Sequence, residues 1–156
     1  MKRRIPLLVA ICLAALAGCA KGNLATPGQD AQARLLEPVP DKAVIYLLRD
    51  LGDIYISEVK VGLDGKLAGT TTHNTFYRWE VPPGVHTIVS YTTPPAVLTL
   101  KTEPGGVYYV WQDINVGLLR EPSRLEVVDA TTARMTMDQA RLLSNTPPAP
   151  ERSAAQ

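Results

Sequence analysis

The middle of this sequence is a series of short apolar runs separated by residues that favour turns. Three of the separators are residues 63–66 (LDGK), 81–84 (VPPG) and 103–106 (EPGG). Proline fixes φ, and glycine accepts the positive φ of a tight turn, so each separator reverses the chain. With 13 prolines and 11 glycines in 156 residues, the sequence favours many turns over long helices. A fold of short strands is the expected result.

The runs themselves have the patterns of strands. Residues 43–49 (AVIYLLR) are almost continuously apolar, which predicts a strand buried on both faces. Residues 55–62 alternate in part, with the apolar side chains at 55, 59 and 61 on one face. Further strands are predicted at 76–81, 85–91, 97–102, 107–112 and 125–128. About seven short strands with turns roughly every 8–12 residues indicate a mostly β fold, either an antiparallel β-sandwich or a small barrel.

The separators also predict how neighbouring strands connect. Asp64 and Gly65 tolerate positive φ, so a tight hairpin turn is expected between the strands that flank them. The two proline–glycine separators lead into similar strands. An internal repeat is one interpretation of this similarity. Two hairpins that use the same type II turn are the other, and they are the interpretation that we favour.

The apolar period changes after residue 128 from that of a strand to that of a helix. Ala133, Met137 and Ala140 share one helical face, and Asp129 is a good N-cap. The capping-box spacing at residues 136–139 predicts a break near Met135. The sequence therefore predicts a C-terminal helix that covers an edge or an open end of the strands.

Several motifs of this central region resemble a known family. Residues 61–65 (VGLDG), 81–86 (VPPGVH) and 104–110 (PGGVYYV), with Gly69 and Tyr77, are similar to PEGA-type surface domains. They also resemble a related family of small bacterial lipoproteins, catalogued as a domain of unknown function. The resemblance spans about residues 41–143 and implies an immunoglobulin-like antiparallel β-sandwich on a lipid anchor. It implies no catalytic residues, and the polar loop at 70–74 (TTTHN) departs from the family pattern.

The N-terminus has the pattern of a secretory signal. A basic head at residues 2–4 (KRR) precedes an apolar run of 11 residues at 7–17. That run is too short to cross a hydrocarbon core of about 30 Å as a helix. Residues 1–18 are therefore interpreted as a signal peptide that is removed from the mature protein.

The end of this signal resembles the bacterial lipoprotein box, because Leu16, Ala17, Gly18 and Cys19 match it at all four positions. The resemblance implies cleavage before Cys19 and acylation of its thiol, so that the acyl chains hold the protein on a membrane. An ordinary secreted protein with a chance cysteine is the alternative. Ala20 stands where an aspartate tends to retain such proteins at the inner membrane, which indicates the outer membrane, facing the periplasm, of a two-membrane bacterium.

The rest of the chain is divided by composition. Residues 19–40 are predicted to be the lipidated cysteine and a flexible tether, which would average about 25 Å from end to end. Residues 41–143 are the predicted domain, and residues 144–156 are a predicted disordered tail. Without its signal the chain has 13 basic and 15 acidic side chains, and this balance lacks the basic surface of a nucleic-acid-binding protein.

Catalytic and metal-binding patterns are sparse. Acylation of Cys19 removes the one thiol left after signal cleavage, and only His73 and His86 offer imidazole ligands. Asp64, His73, His86 and Ser90 supply the residue types of a hydrolase triad, but no Gly-x-Ser-x-Gly elbow is present. No spacing singles out a carboxylate pair for glycoside chemistry. We therefore expect no enzyme activity, no cofactor and no metal.

Aromatic residues on the predicted strand at 107–112 offer a further candidate site. Tyr109 and Trp111 share one face of that strand, and Tyr108 and Val110 share the other. One set is expected in the core. The other set, Tyr109 and Trp111, is a candidate platform for a sugar or a protein, but core packing with cross-strand pairs is the interpretation that we favour.

Three functions remain compatible with the sequence. The first is a non-enzymatic, lipid-anchored binding or structural module of the cell envelope, with an envelope protein or a glycan as partner. The second is a carbohydrate- or peptidoglycan-binding domain. The third, an envelope enzyme, requires a pocket of converging polar groups that no motif in the sequence indicates.

Overall fold

A computed structural model describes residues 23–49, 58–114 and 123–145. The lipobox at 16–19, the predicted strand start at Tyr55 and the tail from residue 146 lie outside these ranges. In chain order, the described elements are α1 Pro27–Ala33, β1 Ala43–Arg49, β2 Val59–Leu63, β3 Lys66–Thr71, β4 Thr75–Val81, β5 Gly84–Ser90, β6 Ala96–Thr102, β7 Val107–Asp113, β8 Arg124–Val128, α2 Ala130–Gln139 and β9 Arg141–Leu142. Within the described ranges, neither helix has the length and apolar character needed to span a membrane.

The strands form two sheets that pack face to face. The first sheet has the order β8-β7-β1-β4-β9, and the second sheet has the order β3-β2-β5-β6. Both helices lie on the outer face of the first sheet, where Ala33 of α1 and Met137 of α2 pack on Tyr46 and Phe76. The predicted β-sandwich with a C-terminal helix is confirmed. It has nine described strands, where the sequence indicated about seven.

β1 is the central strand of the first sheet, and all seven of its residues are buried. Ile45 and Leu47 point between the sheets and pack on Val61 and Ile88 of the second sheet. Tyr46 on the opposite face lies under the helices. The prediction of a strand buried on both faces is therefore confirmed, and the helix layer explains why the run at 43–49 has no polar alternation.

The connections between strands differ from the prediction at both proline–glycine separators. Residues 81–84 lead from β4 in the first sheet to β5 in the second, and residues 103–106 lead from β6 back to β7. Neither is a hairpin, so that prediction was wrong. A proline–glycine turn sets the local reversal, shown by φ +72° at Gly105, but it does not determine which sheet the next strand joins. As a result β7 pairs with β1 in parallel, and β9 pairs with β4 in parallel, so the sandwich is not purely antiparallel.

The predicted tight turn after β2 is confirmed. Asp64 has φ +51° and Gly65 has φ +75°, the pair of positive values that defines a type I′ hairpin. β2 and β3 pair in antiparallel register on either side of it, with one irregularity between Val61 and Gly62.

The predicted flexible tether is wrong for its described part. Thr26 and Gln29 form a reciprocal capping box that begins α1, and Leu24 forms a β-bridge with Leu143. Leu36, just after α1, is 7 % exposed. A helix of seven residues is unstable alone, but burial of its apolar side chains against the first sheet stabilises it. Residues 23–40 are therefore part of the folded domain, which does not begin at residue 41.

The C-terminal helix begins where the sequence predicts. Asp129 accepts hydrogen bonds from the backbone N–H groups of Thr131 and Thr132. The break expected near Met135 is absent, because Thr136 donates its hydroxyl to the carbonyl of Thr132 within the helix and caps nothing. The helix is followed by β9, and Ser144 and Asn145, placed in the predicted tail, bond to Asn23 and Arg78.

Candidate functional site

A cleft of about 600 Å³ opens between α1 and the edge of the first sheet formed by β4 and β9. Apolar side chains, among them Ala33, Val39 and Leu142, line part of it. The charged residues that line it are Glu37, Arg78 and Glu80, with amide groups from Gln29, Gln32 and Asn145. An apolar lining with a few converging polar groups is the usual form of a small-molecule site.

Arg78 is the main positive group of the cleft. Its Nε donates to the hydroxyl of Tyr46 at 3.2 Å, and its Nη1 donates to Glu80 Oε1 at 2.7 Å. Burial would lower the pKa of Arg78, but its hydrogen bonds to Glu80 and Tyr46 outweigh burial and raise it, so the side chain stays charged. In the described chain Nη2 has no partner, and the side chain is 21 % exposed. This leaves donors available to a ligand at the cleft wall.

The hydroxyl group of Tyr46 helps to hold Arg78 in position. Its ring is fully buried, and its hydroxyl donates to the carbonyl of Ala33, the last residue of α1, at 2.6 Å. Burial raises the pKa of Tyr46, so the hydroxyl remains a neutral donor that also accepts from Arg78. One phenol thus connects the helix wall of the cleft to its cation.

Glu80 and Glu37 supply the negative charge. Glu80 accepts from Arg78 through one oxygen and from Lys42, at 3.0 Å, through the other. These hydrogen bonds, from Arg78 first and Lys42 second, lower the pKa of Glu80. Glu37 accepts from Gln32 through Oε2 at 3.1 Å. The cleft therefore offers a cation and carboxylates within one small volume, an arrangement that suits a ligand carrying both signs of charge.

The position of α1 depends on Arg34. Its guanidinium donates to the carbonyls of Met137 and Ala140 at the end of α2, and its Nε pairs with Asp30. Asp30 also accepts from the backbone N–H of Leu142 at 2.7 Å. The carbonyl of Met137 also accepts from the backbone N–H of Ala140, so Arg34 adds a second donor there and supplies one to Ala140 at the helix end. These bonds attach α1, which forms one wall of the cleft, to the end of α2 and to β9.

Tyr109 and Trp111 lie on one face of β7, as predicted, but they do not form an open platform. The ring of Tyr109 stacks on Tyr46 with centroids 5.6 Å apart and an interplanar angle of 26°. Both Tyr109 and Trp111 are only partly exposed. Packing with the helix-side core explains Tyr109. Among the aromatic residues that the structure describes, Tyr91 is the one large exposed ring, at 49 %.

The structure brings together two of the candidate triad residues. His86 Nδ1 lies 2.7 Å from Asp64 Oδ2, and His86 Nε2 lies 2.8 Å from the carbonyl of Pro82. Ser90 is engaged elsewhere, because its hydroxyl accepts from Gln112 Nε2 at 2.7 Å. A carbonyl therefore occupies the position that a nucleophile would need. Within 23–49, 58–114 and 123–145, no three His, Cys, Asp or Glu side chains converge on a metal position.

The sequence contains a signal for Arg78 and Glu80 that was missed. In residues 75–81 they alternate with the buried Tyr77 and Trp79, so they had to share the opposite face. Glu37 carried no such signal, because its role depends on the folding of α1 onto that face. No protein-family model matches the chain, and comparison with curated proteins found no match.

Proposed function

We propose that this protein is a lipid-anchored binding module of the cell envelope, on the outer membrane facing the periplasm, and that it holds a small ligand in the α1–β4 cleft. The lipobox at residues 16–19 supports the anchor, as does the resemblance to PEGA-like lipoproteins. The observation that carries the binding function is Arg78, fixed by Tyr46 and Glu80 with Nη2 left without a partner in the described chain.

The charge pattern favours a zwitterionic ligand, such as the end of a short peptide. A guanidinium binds a carboxylate through directed, charge-assisted hydrogen bonds. Glu37, which lines the same cleft, supplies a carboxylate for an ammonium group. The volume of about 600 Å³ is within the usual range of small-molecule sites. An amino sugar is the second candidate, because the amides of Gln29 and Asn145 are suited to hydroxyl groups.

Binding without catalysis is proposed because of the state of Glu80. A general acid or base works best with a pKa near the operating pH. Arg78 and Lys42, the two cations that bond to Glu80, lower its pKa and so move it further from neutral pH. The carboxylate is therefore suited to fixing Arg78 and unsuited to moving a proton.

The folded start of the domain limits its distance from the anchor. Cys19 and Asn23 are four positions apart, and four residues span at most about 14 Å. If Cys19 is acylated, the domain lies close to the bilayer surface, and the spacing of about 25 Å expected for a long tether does not apply.

An NMR titration of the ¹⁵N-labelled mature chain tests the cleft. We expect the dipeptide Gly-Gly to shift the resonances of Glu37, Arg78 and Asn145, and Arg78→Met to abolish these shifts. Arg134→Met, which removes an exposed arginine from α2, is the matched control and should bind normally. N-acetylglucosamine is titrated in parallel. Shifts with the sugar alone would support the glycan alternative, and no shift with either probe would contradict a ligand site in the cleft.

A further inference from the structure

The outer face of the second sheet has no helix over it in the described chain, whereas α1 and α2 cover the outer face of the first. This outer face carries most of the exposed large apolar side chains that the structure describes. They are Leu67 at 54 %, Val85 at 67 %, Tyr91 at 49 % and Val97 at 59 % exposure. Exposed apolar side chains gathered on one face usually mark a contact surface.

Strand register places Leu67 and Val97 in one row across the sheet, whereas Val85 lies outside this row, opposite Lys101. Gly62 pairs with both Leu67 and Val89, and Val89 pairs with Val97, so the row crosses all four strands. The ring of Tyr91 lies over Gly62, where an added Cβ would come within 2.9 Å of its hydroxyl. Because Gly62 has no side chain, the tyrosine lies flat and the row has no protruding group at its centre.

Within the four strands the exposed charged side chains have one sign, and the exposed Glu58 and Glu103 lie just outside the ends of β2 and β6. β2, β3, β5 and β6 contain no aspartate or glutamate, and their exposed strand positions include Lys60 and Lys101. Asp64, in the turn beside the face, is already paired with His86. We name the face defined by Lys60, Leu67, Val85, Tyr91, Val97 and Lys101 the lysine-edged face. Its partner must combine negative charge with an apolar layer.

We propose that the lysine-edged face rests on a phospholipid surface that contains anionic lipids; this inference rests on the proposed acylation of Cys19. Lysines near an anionic bilayer are attracted to it, and an aromatic ring with a hydroxyl favours the interfacial layer. Valine and leucine side chains between the lysines gain from leaving water. An anionic membrane therefore matches both the charge and the apolar row.

The position of the anchor is compatible with this orientation. The described chain starts at Asn23, whose carbonyl accepts from the backbone N–H of Ser144 next to β9. β9 pairs with β4, and Tyr77 of β4 exchanges hydrogen bonds with Thr70 of β3. The described chain thus begins on the β3 side of the sandwich, the side that carries Leu67. A reach of at most about 14 Å from Cys19 keeps this side at the membrane.

The test uses the acylated mature protein on vesicles of phosphatidylcholine, with or without one third phosphatidylglycerol. A polarity-sensitive thiol dye is attached to Val97→Cys in one sample and to Met135→Cys in another. Met135 is 61 % exposed on α2, on the opposite side of the molecule. We expect a blue shift of the dye at position 97 on anionic vesicles, a smaller one on neutral vesicles, and none at position 135.

Charge variants separate the face from the anchor. Lys101→Glu should weaken the shift at position 97, since each lysine contributes roughly fivefold to surface attraction. Arg134→Glu, which changes the net charge equally on α2, should leave it intact. Equal shifts at positions 97 and 135, or no shift at 97, would overturn the proposal, and the latter is the result expected if the face binds an acidic protein.

Flotation of the vesicles distinguishes a missing anchor from a lysine-edged face that does not contact the membrane. An acylated protein floats with neutral vesicles regardless of its orientation, whereas a protein without acyl chains does not. Loss of flotation therefore overturns both the anchor and the lysine-edged face. Flotation with an unshifted dye at position 97 overturns the face alone.

Discussion

The carboxylate of Asp64, in the turn between β2 and β3, lies 2.7 Å from Nδ1 of His86 in β5. The other ring nitrogen of His86 lies 2.8 Å from the carbonyl of Pro82. Since a carbonyl and an ionised carboxylate can only accept hydrogen bonds, both contacts are hydrogen bonds only when both ring nitrogens donate, that is, in the protonated imidazole. His86 is only 6 % exposed, so this cation depends on its two acceptors.

This pair predicts that stability depends on pH. Burial alone would lower the pKa of His86, but the bonds to Asp64 and Pro82 and the charge of Asp64 raise it. The contribution of His86 is therefore complete below its unfolded pKa of about 6.5 and is lost as pH rises through the higher folded value. Circular-dichroism melts of the wild type should show a falling melting temperature above about pH 6.5.

The acid side of the profile depends on Asp64. Burial would raise the pKa of Asp64, but its hydrogen bonds with His86 and Thr87 and the charges of His86 and Lys66 lower it. Its contribution is present above an unfolded pKa of about 3.9 and is lost as pH falls through the lower folded value. His86→Gln should flatten the alkaline side of the profile. An unchanged alkaline slope in that variant would contradict the assignment.

Arg34→Met should separate α1 from the rest of the domain. The change removes the donors to Met137 and Ala140 while keeping an apolar stem, and we expect a loss of about 1–3 kcal/mol in the free energy of unfolding. Hydrogen exchange should accelerate at the amides of residues 30–36 more than in β1. Arg134→Met is the control, and equal effects of the two variants would argue against the role given to Arg34.

Tyr46→Phe tests whether the buried hydroxyl positions Arg78. Loss of the hydroxyl removes one of the two donors to the carbonyl of Ala33, which keeps the backbone N–H of Leu36, and we expect a cost of about 0.5–1.5 kcal/mol in unfolding free energy. The aromatic stack with Tyr109 is retained. Binding of Gly-Gly in the cleft should weaken, measured by the same NMR titration at a temperature where the variant is folded. Unchanged affinity would show that Arg78 is held adequately by Glu80 alone.

Gly69→Ala is expected to be strongly destabilising. A Cβ at this position would lie 2.1 Å from the hydroxyl oxygen of Tyr77, and Gly69 has φ +150°. We expect a loss of more than about 2 kcal/mol, measured by urea unfolding. Adding Tyr77→Phe should recover part of it, because the clashing oxygen is gone. Gly28→Ala, with open space around it, is the control and should be neutral or stabilising by up to about 1 kcal/mol.

The sequence predicts the features that depend on neighbouring residues, and it does not predict those that depend on contacts far along the chain. The type I′ turn at Asp64 and Gly65 and the N-cap at Asp129 depend on neighbouring residues, and the sequence predicted both. The sheet that each strand joins depends on partners far along the chain, so the turns at 81–84 and 103–106 were assigned as hairpins. α1 escaped prediction because its composition resembles a tether and its stability comes from contacts such as that of Arg34 with the end of α2.

The sequence does not predict the candidate cleft either, because the cleft also depends on contacts between distant residues. Glu37 and Arg78 are far apart in sequence and line one cleft only because α1 folds back on β4. The lysine-edged face was partly visible, since Lys60 was placed opposite the apolar face of its strand. The aromatic pair Tyr109 and Trp111 was placed correctly on one face, but the sequence does not show that α2 packs on that side of the sheet.

Intact-mass and peptide mass spectrometry of the protein extracted from its native membrane tests the anchor most directly. The account predicts a mature chain that begins at Cys19 and carries a diacylglyceryl group on that residue, with a further acyl chain on its amine. A mature chain that begins at another residue, or a first residue Cys19 without an acyl group, would contradict the membrane attachment from which the proposed binding function proceeds.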